Sequence, residues 1–153
     1  MARKTKKVSQ MNIRESRAKR RIGVIVNYAS LFLFLVFYYL GFIRGWDAAF
    51  TASALVFLAV SVGSLIVVHV NTGLWKLGHS EVGKLDERQV QVTHEALRRS
   101  YSLFSVICLL VMLFNAVTGY RGYYLFDAVL PVSLLYLAHS LPSSVIAWKE
   151  REV

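Results

Sequence analysis

The sequence predicts an all-α polytopic membrane protein, a four-transmembrane-helix bundle made of two helical hairpins. Three observations carry that prediction. The chain of 153 residues is 56% hydrophobic, more than a soluble domain of this size needs. Four runs, 22–43, 48–70, 101–119 and about 123–147, almost completely lack Lys, Arg, Asp and Glu. Sixteen of the 18 Lys and Arg residues fall on one side of those runs. A bilayer core about 30 Å thick is crossed by about 20 helical residues. Backbone groups in lipid must bond internally, so each run should be helical.

Several classes are excluded. Disorder, a disulfide-rich secreted module and a typical soluble enzyme all conflict with the apolar runs. The single cysteine, Cys108, allows neither an internal disulfide nor a Cys-based zinc site. The formal charge of +9 suits a nucleic-acid binder, but the greasy runs do not.

The first segment, 1–21, is a basic tail carrying Arg3, Lys4, Lys6, Lys7, Arg14, Arg17, Lys19, Arg20 and Arg21 against one acid, Glu15. Such clusters beside a span attract anionic phospholipid, at about 1 kcal/mol per residue near the surface. The tail has no aromatic residue for base stacking, so nucleic acid is not the expected partner. Asn12-x-x-Glu15 has the form of a cap for a helix running into the first span.

The first transmembrane hairpin occupies 22–70. Its first run is about twice the usual apolar length of a signal peptide, and no small-residue cleavage site follows. Gly41 to Asp47 forms a tight aromatic turn. The second run is rich in small residues, with Ala59 and Gly63 a small-xxx-small pair, which predicts close helix packing. Asn27 is expected to face protein.

Segment 71–100 is a loop and helix. Gly73, Gly78 and Gly83 space an irregular first half. Asp86 then has the position of a helix cap, with Gln89 three residues on. The helix should continue through Glu87, Arg88, Arg98 and Arg99 into the third span. Glu95 and Arg99 have the favourable spacing for an ion pair. Val90, Val92, Ala96 and Leu97 form an apolar side suited to another subunit or the headgroups; a solvated helix is the plainer alternative. The run Leu85-Asp86-Glu87-Arg88-Gln89, followed by a helix entering the third of four spans, resembles a pattern in small uncharacterised prokaryotic four-span membrane proteins. That resemblance implies the architecture and no chemistry.

The second hairpin, 101–147, and a short end, 148–153, complete the chain. Pro131 and Pro142 each remove a backbone bond and are expected to kink the fourth helix. Arg20-Arg21 recurs as Arg98-Arg99 and Asp47-Ala48 as Asp127-Ala128, while Gly-rich turns containing Arg44 and Arg121 join the two spans of each half. A parallel internal repeat and chance likeness of short turns both account for this. Asp127 reads first as a cap at the start of the fourth helix.

The positive-inside rule puts both termini in the cytoplasm, in what the resemblance implies is a prokaryotic inner or plasma membrane. Trp75 and Trp148 then suit the inner interface, and Trp46, Tyr120, Tyr123 and Tyr124 the outer. Of the four histidines, His69 and His139 are the natural pair for a haem. Their depths differ, so no cofactor is expected. His79 and His94 lack metal-ligand spacing, and no metal site or catalytic signature is present in the sequence. Asp127, His139 and Asn115 are the candidates for an intramembrane polar site. The expected function is a non-enzymatic accessory, assembly or regulatory membrane subunit. Its partners would be other membrane subunits or further copies of itself. The alternative is a small oligomeric transporter or channel.

Overall fold

The computed structural model describes residues 2–70, 87–120 and 127–149, with side chains for 18–70, 87–119 and 127–149. Residues 71–86, 121–126 and 150–153 and the side chains of Arg3, Lys4, Lys6, Lys7, Arg14 and Arg17 lie outside that description. So do the sequence readings on Trp75, His79, Asp86, Arg121, Tyr123 and Tyr124. The described residues form four helices and no strand: α1 Ala2–Arg44, α2 Ala48–Leu65, α3 Glu87–Tyr120 and α4 Val129–Lys149. A π-helical turn, Ile66–Val70, continues α2. All four helices are long and apolar enough to cross a membrane.

Helix α1 is continuous over 43 residues, or about 65 Å at 1.5 Å per residue. The cap suggested by Asn12-x-x-Glu15 is not one. The helix already begins at Ala2, because no Gly or Pro interrupts the chain before Gly23. The turn after α1 depends on Gly45, whose φ of 96° disfavours any residue with a Cβ. Asp47 then caps α2: its backbone is extended and its carboxylate accepts from the Phe50 N–H at 2.8 Å. Asp127 does the same for α4, accepting from Val129 N–H at 3.1 Å and Leu130 N–H at 3.4 Å.

Helix α1 packs along α2, α3 packs along α4, and α4 joins the two hairpins by packing on α1. The first hairpin is tightly packed at Gly23, where a Cβ would collide with Val68 Cγ2. Near Arg21 and Lys149, termed here the basic end, all the elements meet in a core of Val24, Val68, Ala96, Ile146 and Ala147. Val92 packs against it. Part of the apolar side of early α3, Val92 and Ala96, thus packs within the chain, while Leu97 is left largely exposed.

A twofold relation between hairpins would require α3 to pack on α2 as α1 packs on α4. No contact of that extent exists. At the offset of the paired arginines, the counterpart of Gly23 is Tyr101, which is 75% exposed and too bulky for a close crossing. Among the described residues, the halves are alike in the aspartates that cap α2 and α4.

Candidate functional site

A seam of neutral polar side chains runs between α1, α2 and α4 inside the apolar layer. Asn27 is its centre and is fully buried. Its amide Nδ2 shares two hydrogens among the Ser61 carbonyl at 2.9 Å, Ser64 Oγ at 3.0 Å and Tyr136 Oη at 2.6 Å. One side chain thus ties three helices. A buried amide in an apolar layer needs such partners, since each unpaired polar group there is costly.

The second part of the seam lies one turn toward the basic end. Ser144 Oγ donates to the Ser140 carbonyl at 2.8 Å, which uses its only hydrogen. Tyr28 Oη lies 2.7 Å and His69 Nε2 3.4 Å from the same oxygen. His69 Nδ1 has no hydrogen-bond partner among the described residues. Tyr28 Oη also lies 3.2 Å from Ser140 Oγ.

Local sequence explains the placement. The π-helical turn displaces His69 into the seam, a distortion common at functional sites. Pro142 removes a backbone bond inside α4, and Ser143 and Ser144 bond back to the Ser140 carbonyl at 3.0 and 2.8 Å. Pro131 costs no such bond, because it lies in the first turn of α4. Ser133, Tyr136, Ser140, Ser143 and Ser144 recur at helical spacing on one face of α4. That polar stripe within an apolar run is the signal that identifies the seam. Of this seam the sequence singles out Asn27, as facing protein, and the small-residue run of α2, as suited to close packing. Tyr28, Tyr136 and the α4 serines are not singled out by it.

The residues singled out from sequence fall elsewhere. Asp127 accepts from Tyr39 Oη at 3.0 Å as well as capping α4. His139 is on the exposed side of α4, with Nδ1 2.9 Å from the Leu135 carbonyl. It is twelve residues from Asp127, about 18 Å along the helix. Asn115 is half-buried on α3. His69 instead meets α4 at Ser144, five residues beyond His139. Ala59 and Gly63 are exposed, and a Cβ on Gly63 would meet nothing within 4 Å. The small-xxx-small pair therefore makes no internal crossing.

At the basic end, Arg21 donates through Nε and Nη2 to the Trp148 carbonyl at 3.2 and 2.8 Å. Its guanidinium also sits 4.8 Å from the Trp148 ring centroid. It thereby satisfies a carbonyl left open by the end of α4. Glu95 pairs with Arg99 at 3.0 Å, the spacing read from sequence, and also with Lys149 of α4. Lys149 foremost, with Arg99, holds the Glu95 carboxyl below its ordinary range. Lys19, Glu87, Arg88, Arg98 and Arg99 are exposed around this end.

Comparison with protein-family models, curated proteins and solved structures finds no match to this chain.

Proposed function

We propose that the protein is a non-enzymatic accessory, assembly or regulatory subunit of a membrane complex, acting by helix packing. The observation that carries this reading is the unequal cover of the second hairpin. None of the most apolar stretch of α3 is buried, against 44% of that of α4. Leu103, Val106, Leu109, Leu110, Met112 and Leu113 leave a continuous apolar surface on α3. A second support is the open Ala59–Gly63 face of α2, which allows another helix to approach closely.

In this reading the basic residues of the tail and of early α3 lie on the cytoplasmic face of a prokaryotic inner membrane and contact anionic phospholipid. Both termini share that side. Purification in mild detergent from the native membrane tests the proposal. Recovery in a stable complex with other membrane chains is the expected result. Recovery only as copies of itself, with solute flux after reconstitution, contradicts it.

Transport by an oligomer is the second reading, favoured by the buried polar seam. Asp127, Asn115 and His139 were its sequence candidates. Unaltered flux in Asp127→Asn protein would remove Asp127 from that role.

A further inference from the structure

The four helices are not held equally. The buried residues of α3 are Thr93, Ala96 and Ser100, all at its basic end. From Tyr101 to Gly119 no residue is buried. Helices α1 and α4 carry buried residues along their apolar lengths, from Val24 to Gly41 and from Leu130 to Ala147.

The ties between helices divide in the same way. Asn27, Tyr28 and His69 join α1, α2 and α4 inside the apolar layer. Helix α3 is joined by Glu95 to Lys149, and by the packing of Val92 and Ala96 in the core. Both ties lie before its apolar run. Beyond Tyr101 its cover is one half-buried stripe, Phe104, Ile107, Cys108, Val111, Asn115 and Thr118, spaced to meet a single neighbouring helix.

In lipid this difference decides mobility. Acyl chains are as apolar as leucine, so no hydrophobic force returns a separated helix to its neighbour. Close packing and polar bonds must hold it, and for α3 the buried ones are at one end. A region with few buried contacts opens at lower cost than the rest of a fold. Helix α3 has no proline, and no glycine before Gly119, so it moves as a rod and does not bend within itself. From Ala96 to Gly119 that rod is about 35 Å long. We propose that α3 is a hinged arm, pinned at Thr93–Ser100 and swinging away from α4 within the bilayer along its apolar length. The frame it moves against is α1, α2 and α4, held together by the polar seam. The arm is a property of the single chain and does not depend on the subunit reading.

Double electron–electron resonance tests it on the full chain, reconstituted alone in lipid bilayers. In a Cys108→Ser background, spin labels are placed in pairs at exposed positions. Val117 with Phe42 reports the far end of α3 against α1. Leu97 with Ile22 reports the pinned end, and Val132 with Phe42 reports α4 against α1. The distance distribution for Val117–Phe42 is expected to be at least twofold wider than the other two. Equal, narrow widths for all three pairs overturn the proposal. Equal, broad widths overturn it too, because the whole bundle and not α3 alone would then be loose.

Discussion

The Asn27 amide shares its two N–H groups among three acceptors on two other helices, the Ser61 carbonyl, Ser64 and Tyr136. Interhelical hydrogen bonds in membrane proteins average about 0.6 kcal/mol, so Asn27→Ala should cost about 1–2 kcal/mol. The measurement is the unfolding midpoint in mild detergent titrated with SDS. An unchanged midpoint would mean that the amide does not hold α1, α2 and α4 together. Gly23 acts by absence: any side chain there meets Val68. Gly23→Ala should destabilise by about 1–3 kcal/mol, the usual range for overpacking, in the same titration. Neither effect is evident from residue type alone. A glycine in an apolar run has many uses, and only the identity of the facing residue makes Gly23 a crossing point.

At the scale of elements, the ends of α4 are fixed by side chains from elsewhere in the chain. Asp127 caps its start, while Arg21 and Glu95 hold its end. Glu95 lies on α3 before the apolar run begins at Tyr101, and its folded-state carboxyl is shifted below the ordinary value. A depressed acid contributes stability above its unfolded value and loses it as pH falls through the folded value. The tie between α3 and α4 should therefore hold at neutral pH and release only in acid. A carboxyl carbon-13 titration of Glu95 should show a midpoint below that of Glu95 in the Lys149→Gln variant; equal midpoints would refute the coupling. The helices themselves were legible because twenty-residue apolar runs admit little else in lipid. The aspartate cap of α4 and the Glu95–Arg99 pair were legible because they depend on spacing within one helix. The seam was harder to see because it depends on which faces of α1, α2 and α4 meet. Serines that bond to their own helix leave no mark in hydropathy.

For the whole molecule, the charge distribution and the fold make separate statements. The fold supplies four helices able to span a membrane, and the proposed orientation rests on the distribution of sixteen basic residues in the sequence. In a Cys108→Ser background, cysteines at Ser9 and Ser80 should react with membrane-impermeant maleimide only after the cell is opened. A cysteine at Gly122 should react in intact cells; the reverse pattern would invert the topology. Gly23, pressed against Val68, and Tyr101, 75% exposed, give the two hairpins different approaches. What remains is an asymmetric molecule, with α4 well covered and α3 open along its apolar length. The most direct test of a subunit role is a photo-crosslinking amino acid at Leu109 or Met112, activated in the native membrane. The account predicts a discrete adduct with another membrane protein chain. Crosslinks to lipid alone would contradict it.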